Sequence, residues 1–222
     1  MEKPDVTESV PICEAVLKHI LAISPTSGRS GSDLRTAIGD FLGYAGILLR
    51  YDLAGPPLGT IFDLARAAGI TLAMLEDVRR LAEAQFAISV GAILTRDSLI
   101  HFTLAAEGFV LADMAFVSRN DVDVVRNAVN LAFQPVEELA ADSMDQQGYM
   151  GAVSLHAAII AYLVQTARPL PRILDFSFNR VMTTLTIAYR LYSDAGRADE
   201  LRKENHNIHP AFMLPAGRAL SS

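Results

Sequence analysis

The chain has 222 residues, a single cysteine and a formal net charge of −6, and 51% of its residues are hydrophobic. One cysteine excludes an internal disulfide framework, and the acidic balance argues against direct binding of nucleic acid, which requires basic side chains that neutralise phosphates. Charged residues make up only 20% of the chain, so the apolar surplus predicts a buried helical core together with subunit interfaces that cover the remaining apolar surface.

The first two predicted helices span residues 10–23 and 33–51. Their apolar residues recur at helical spacing, and Ser32 or Asp33 can cap the second helix. The opening residues lack the apolar core of a signal peptide, and no uncharged run is expected to reach the roughly 18 residues that span a bilayer. We therefore expect a chain that folds in a cytoplasm and has no membrane-spanning helix.

Three glycines of the second predicted helix, Gly39, Gly43 and Gly46, lie on one helical face. Each glycine costs about 1 kcal/mol of helix stability relative to alanine. A face of small residues lets another backbone approach closely. We therefore expect a packed helix at this face, contributed either by this chain or by a second copy of it.

The rest of the chain also follows a helical pattern, interrupted by proline, glycine and short polar segments. Thr71 can cap one helix, Thr95 or Asp97 is expected to begin another, and Pro135 is expected to kink or end a third. The predicted spans are 60–68, a long helix from 72, a restart near 97, 121–132, a further turn or two over 136–144, 149–167, 176–192 and 197–205.

These patterns predict an all-α protein, a multi-helix bundle of about eight helices with a short irregular C-terminal appendage. No β-hairpin signal is present. Residues 149–167 are apolar on almost every side, which predicts the central core helix. We expect two domains, a helical bundle over 1–192 and, over 193–222, a small helix followed by an extended docking tail.

Residues with catalytic or metal-binding chemistry are sparse. His206 and His209 lie three apart near Glu200 and Glu204, but zinc sites need four ligands in ordered geometry. The chain has neither a G-x-S-x-G nor a G-x-G-x-x-G motif. Cys13 lies in an apolar helix, which is typical of an inert buried thiol. The sequence therefore predicts a protein without enzymatic activity, metal or cofactor.

The most specific stretch is the C-terminal third. The run from Ala188 to Leu201, then Asn205, the run from Ile208 to Phe212 and the run from Pro215 to Gly217 resemble the C-terminal end of phage Mu-type tail proteins, the family named for DNA circularisation or circulation. Ser193 and Ala211 stand where glycine is common in that family, and residues 1–99 do not match its N-terminal domain.

The resemblance implies a structural component of a contractile bacteriophage tail, at the baseplate or hub end, that links tube or hub to surrounding baseplate proteins during tail assembly. It would lie in the virion after assembly in the bacterial host cytoplasm. Its expected partners are other tail proteins and copies of itself. The residues expected to make these contacts are Tyr189, Arg190, Tyr192, Asp194, Arg197, His209, Phe212 and Leu214.

The same ending is similar to the second half of a LysM module. The shared pattern is a short helix followed by Asn205, Ile208, two spaced prolines and Gly217. A full module needs a strand before its first helix, and the sequence predicts a long apolar helix at that place. The alternative function is a LysM-like module that binds peptidoglycan of the cell wall, on a helical carrier.

Overall fold

The computed structural model describes residues 1–25, 27–142 and 146–221. In this part of the chain, nine α-helices account for most of the structure and one two-stranded sheet is present, so the all-α prediction is confirmed. The helices are α1 (Lys3–Ile23), α2 (Gly28–Arg50), α3 (Gly55–Ala67), α4 (Leu72–Glu83), α5 (Val90–Asp113), α6 (Arg119–Asp142), α7 (Gln146–Ala167), α8 (Thr184–Tyr192) and α9 (Ala198–Glu204). The strands are β1 (Ile173–Ser177) and β2 (Ala216–Leu220).

The chain divides into two compact units. The N-terminal unit comprises residues Met1–Met114 and Leu131–Ile159, and the C-terminal unit comprises Ala115–Asn130 and Ile160–Ser222. The predicted domain boundary after residue 192 therefore does not coincide with a boundary between compact units.

The N-terminal unit is built around α5, which packs against α1, α3 and α4. Leu99 and Leu104 of α5 are fully buried, as are Leu17 and Ile20 of α1. At the other end of α1, Glu8 accepts hydrogen bonds from the backbone N–H groups of Ile88 and Ser89. A carboxylate at this position satisfies donors at the start of α5 and complements the helix dipole.

Two helix starts illustrate where local sequence signals succeed and fail. Thr71 caps α4 as predicted, because its hydroxyl accepts a hydrogen bond from the backbone N–H of Met74. The expected start of a helix at Thr95 or Asp97 is wrong, because Ser89 caps α5 in the same way and the helix begins at Val90. The Thr95 hydroxyl instead donates inside the bundle to the Gly91 carbonyl at 2.8 Å.

Pro135 does not end a helix, because α6 continues through it to Asp142. Thus the separate turns predicted over 136–144 are part of α6 as far as Asp142, and the final two positions lie outside the described residues. Near Pro135, the side chain of Phe133 stacks on His156 of α7 with ring centroids 4.7 Å apart. His156 also contacts Glu137 at 2.8 Å.

α7 differs most from its prediction. Only Ala152, Ile159 and Leu163 of this helix are buried, so the prediction of a central core helix is wrong. The expectation about uncharged runs is wrong as well, since α7 has 22 residues and none is Asp, Glu, Lys or Arg. Among the described residues it is the one helix long and apolar enough to cross a membrane, a criterion of length and composition that core helices also meet.

The C-terminal unit holds the one sheet of the described chain. β1 and β2 pair antiparallel, with Asp175 opposite Arg218. The prediction of one helix over 176–192 is wrong in its first half, because Phe176 belongs to β1 and Thr183 caps α8 by accepting from the Thr186 N–H. For the same reason a strand, not a long apolar helix, precedes α8. Residues far apart in sequence supply the pairing that decides this, and local spacing does not record it.

One hydrophobic cluster holds the C-terminal unit together. It contains residues from the sheet, both helices and the loops between them, and α8 and α9 pack on each other while α9 also packs on β2. Residues on both sides of position 192 therefore share one core. The cluster consists of Phe176, Met182, Ile187, Ala188, Leu201, Met213 and Ala219.

Candidate docking site

The segment between α9 and β2 is fastened to the loop before α8. The backbone N–H of Met213 donates to the Met182 carbonyl at 3.0 Å, and the two methionines form an isolated β-bridge. Thr184 donates to the Pro210 carbonyl through both its backbone N–H and its hydroxyl, each at 2.9 Å. The segment is therefore held at a defined place on the surface of the C-terminal unit.

Asn205 closes this segment at the end of α9. Its side-chain Nδ2 donates to the Leu201 carbonyl at 2.8 Å and to the Arg218 carbonyl at 2.7 Å. Its Oδ1 accepts from the Arg218 N–H at 2.7 Å. The carboxamide therefore acts as a backbone mimic along β2, and its Oδ1 lies where a side chain at Gly217 would be.

Large apolar side chains are exposed on this fastened segment, in the loop before α8 and on α8 itself. Met182 and Met213 point inward, and their neighbours Val181 and Leu214 are exposed, which follows from the alternation of side chains along paired strands. Large apolar side chains that stand in water on a rigid unit are typical of interaction sites. We call this set the docking surface, and it comprises Val181, Leu185, Tyr189, Ile208, Phe212 and Leu214.

Three of the predicted contact residues, Tyr189, Phe212 and Leu214, belong to the docking surface. Phe212 is 70% exposed and Leu214 is 74% exposed. His209 lies beside them and meets the Phe212 ring edge-on, with centroids 6.3 Å apart. Asn207 holds this turn, since it accepts from the His209 N–H and donates to the Phe212 carbonyl, each at 3.2 Å.

The other predicted contact residues serve mainly within the unit. The guanidinium of Arg197 lies 3.8 Å from the ring centroid of Tyr192 and donates to both carboxylate oxygens of Glu200, at 2.6 and 3.2 Å. Asp194 accepts from the Gly196 N–H at 2.7 Å and caps a short 3₁₀ helix over 195–197. These side chains fix the connection between α8 and α9.

Arg190 is exposed and lies over the Phe178 ring, 5.9 Å from its centroid.

The pKa of Arg197 is raised, chiefly by its hydrogen bonds to Glu200, so this arginine stays charged. Burial raises the pKa of the Tyr192 hydroxyl, so Tyr192 stays neutral over the physiological range. Tyr192 and Arg197 therefore keep the same charge states near neutral pH.

Val181, Leu185 and Ile208 are exposed residues that the sequence alone does not predict to lie at the surface. Leu185 and Tyr189 are four apart on α8, a spacing that places both on one helical face. The spacing shows that the two residues share a face, but not whether that face is covered. Val181 and Ile208 lie in loops, where periodicity carries no information about exposure.

The N-terminal unit carries a buried ion pair and a buried thiol. Arg79 of α4 contacts Glu107 of α5 at 3.1 Å and Glu83 at 2.8 Å. Burial raises the pKa of the Cys13 thiol to about 12, so this cysteine is protonated and unreactive near neutral pH. Within residues 1–25, 27–142 and 146–221, no three His, Cys, Asp or Glu side chains are grouped so that they could hold a metal ion.

No family model matches the chain, and no curated protein matches it.

Proposed function

We propose that the chain is a structural component of a contractile bacteriophage tail, at the baseplate or hub end, that binds neighbouring tail proteins through the docking surface. The observation that carries the proposal is this surface. Six large apolar side chains are exposed on α8, in the loop before it and on the segment that hydrogen bonds fasten to them. A surface of this kind loses least conformational entropy on binding, because its backbone is already ordered.

The resemblance to Mu-type tail proteins supports the proposal, because its residues are those that hold the C-terminal unit together. Leu201 is fully buried, and Asn205 binds the backbone of β2. Pro210 and Pro215 supply the carbonyls that fasten their segment to the start of α8 and to Phe178, the residue after β1. The resemblance therefore concerns one folded unit and its surface.

The N-terminal unit offers a second apolar face, on α2. Tyr44, Ile47 and Tyr51 are each more than half exposed. Around Gly39 and Gly43, nothing in the described chain lies within 4 Å of where a Cβ would be, so the close packing expected at these two glycines does not occur within this chain. That a second copy or another tail protein packs against these glycines stays a prediction. It agrees with assembly in several copies.

Tail particles from the bacterium that carries this gene provide the test. Antibodies raised against the purified chain should label one end of the particles in electron micrographs. Phe212→Ser should lower incorporation into the particles, because it places a polar group in an apolar contact without touching the core. Particles that assemble unlabelled, and equally well with the variant, would contradict the proposal.

The alternative function is binding of peptidoglycan by a LysM-like module. One observation favours it, namely the order β1, α8, α9, β2 with the two strands paired antiparallel. This order supplies the strand that such a module needs before its first helix. Sedimentation with insoluble peptidoglycan separates the two functions, since a wall-binding module should sediment with it and a tail protein without that activity should remain in solution.

A further inference from the structure

The outer edges of β1 and β2 differ in whether their outward-pointing backbone N–H and C=O groups are hydrogen-bonded. Along two antiparallel strands, successive pairs of opposite residues alternate. In one pair the backbone N–H and C=O groups of both residues point towards the partner strand, and in the next pair they point away from it. The backbone N–H and C=O of Arg218 are both hydrogen-bonded to the side chain of Asn205, so they point away from β1. The edge of β2 is therefore capped by a side chain at its centre.

The same alternation fixes the direction of the backbone groups of β1. Since Asp175 lies opposite Arg218, its N–H and C=O also point outward, and so do those of Ile173 and Ser177. The Ile173 N–H donates to the side-chain oxygen of Asn120 at 3.0 Å. Asp175 and Ser177 are exposed, and their outward groups bind nothing in the described part of the chain.

Arginines surround the Ile173 end of this open edge. A groove of about 510 Å³ lies there, lined by Ile173, Asn120 and four arginines. Asp123 pairs with Arg126 at 2.9 Å. The arginines of the groove are Arg119, Arg126, Arg168 and Arg172.

The charge of this groove is largely uncompensated. Arg119 donates to the carbonyls of Leu170 at 2.9 Å and Arg168 at 2.6 Å, which are neutral acceptors. Arg168 and Arg172 are exposed and form no ion pair in the described chain. By sequence, the C-terminal unit has ten Lys or Arg and seven Asp or Glu, net +3, and the N-terminal unit has nine and 18, net −9. The groove is thus a basic site in an acidic chain.

We propose that the outer edge of β1 binds an extended acidic segment of a partner protein, which adds to the sheet as a third strand. The backbone groups of Asp175 and Ser177 would supply the main-chain hydrogen bonds of strand addition. Carboxylates of the segment would meet Arg168 and Arg172, since guanidinium forks match carboxylate geometry. This site is separate from the docking surface and does not depend on the assignment to a phage tail.

A polypeptide suits this site better than a nucleic acid. The open edge offers backbone donors and acceptors in the spacing of a β-strand, which a polynucleotide does not match. A long polyanion would also be repelled by the net negative charge of the chain, which is −6. A short acidic strand concentrates its charge at the groove.

Nuclear magnetic resonance of the full chain can test the proposal with a synthetic peptide that alternates glutamate and valine. We expect the amide protons of Asp175 and Ser177 to become protected from hydrogen exchange when the peptide binds. The double variant Arg168→Glu, Arg172→Glu should weaken binding by at least about tenfold, because like charges then oppose each other. Arg180→Glu, an exposed arginine outside the groove, is the matched control and should have little effect.

Three results would overturn the proposal. The first is no binding of the peptide, and the second is binding that leaves the two amides unprotected. The third is stronger binding of oligothymidylate, or of the corresponding lysine–valine peptide, than of the glutamate–valine peptide. Phe212→Ser should leave peptide binding unchanged, so failure of this site and failure of the docking surface are separate results.

Discussion

The N–H of Gly91, in the first turn of α5, donates to the Oδ1 of Asp5 at 3.3 Å, and a Cβ at position 91 would lie 2.5 Å from the Cβ of Asp5. The absence of a side chain at Gly91 therefore lets α1 approach the start of α5. Glycine here serves a close contact between two helices, whereas Gly43 on α2 has open space around it. The two positions make opposite predictions for the same substitution.

Gly91→Ala should lower the free energy of unfolding of the N-terminal unit by about 1–3 kcal/mol, because the added methyl group forces α1 and α5 apart. The measurement is urea unfolding followed by circular dichroism. Gly43→Ala is the matched control and should raise the same quantity by up to about 1 kcal/mol, because alanine is the better helix former. Equal effects of the two substitutions would show that the contact with Asp5 does not matter.

Ser193 follows α8 with φ at +58°, in the left-handed region, and its N–H donates to the Tyr189 carbonyl. Glycine adopts this conformation without the steric cost of about 1–2 kcal/mol that other residues bear. Ser193→Gly should therefore raise the stability of the C-terminal unit by roughly 0.5–1 kcal/mol, after the greater entropy of glycine in the unfolded chain is subtracted. This gain in stability should be measurable as slower hydrogen exchange of the Leu201 amide.

Ala211 is the control for this prediction. It is the other position where the resembled family commonly has glycine, but its φ does not lie in the left-handed region. Ala211→Gly should therefore leave the stability unchanged or lower it by up to about 1 kcal/mol, because glycine adds freedom to the unfolded chain without relieving strain. A gain at residue 211 as large as that at residue 193 would contradict this explanation.

Asn205 is expected to be the most sensitive polar residue of the C-terminal unit. Asn205→Asp keeps the shape and the acceptor, but removes the donors to the carbonyls of Leu201 and Arg218. Leaving such groups unpaired costs about 1–3 kcal/mol, so amides of β2 should exchange faster. Asn207→Asp is the control, since Asn207 lies in the exposed turn and donates only to Phe212 in the described chain. Equal effects of both changes would argue against a special role for Asn205.

The docking surface must be tested by point substitutions, because deleting residues 206–222 would also remove β2 and the buried Met213. Leu214→Ser should leave the unfolding free energy nearly unchanged, since Leu214 is 74% exposed, and should weaken association with tail proteins in a light-scattering assay. Met213→Ser, one residue earlier, should instead destabilise the C-terminal unit by about 2–4 kcal/mol. If Leu214→Ser also unfolds the unit, the surface is part of the core.

Local sequence signals predict most helices of this protein but not the sheet. The cap at Thr71 and the spacing of apolar residues in α1 and α2 are local properties, and they suffice to place helices. β1 pairs with residues 39 to 47 positions away, so no short window of the sequence contains the evidence for it. Likewise, α7 has the composition of a core helix, but its burial depends on what packs around it.

The candidate site could be predicted only in part, because local sequence signals do not record contacts between residues that are distant in sequence. Phe212 and Leu214 lie between two prolines in a segment without periodicity, which is typical of an exposed loop, and they are exposed. The intervening Met213 is buried because it bridges Met182. Tyr192 and Arg197 contact each other within the unit, and their contact with a partner stays a prediction. Which side of a loop faces inward depends on contacts distant in sequence.

The pH dependence of stability should report the buried carboxyl group of Glu107. Burial raises its pKa to about 7, although the charge of Arg79 acts in the opposite direction. Between the unfolded pKa of about 4.3 and about 7, the folded state therefore binds more protons at this residue than the unfolded state does. The contribution of Glu107 to stability should fall as pH rises through this interval, and level off above it.

Glu107→Gln is the variant that isolates this effect, because glutamine keeps an acceptor for Arg79 and does not titrate. Urea unfolding of the protein and of the variant at a series of pH values from 4 to 8 gives the difference between them. We expect this difference to change with pH in favour of the variant as pH rises, because only the parent must bury a charged carboxylate above pH 7. A constant difference would mean that Glu107 has the same pKa in both states, and that its pairing with Arg79 fully offsets its burial.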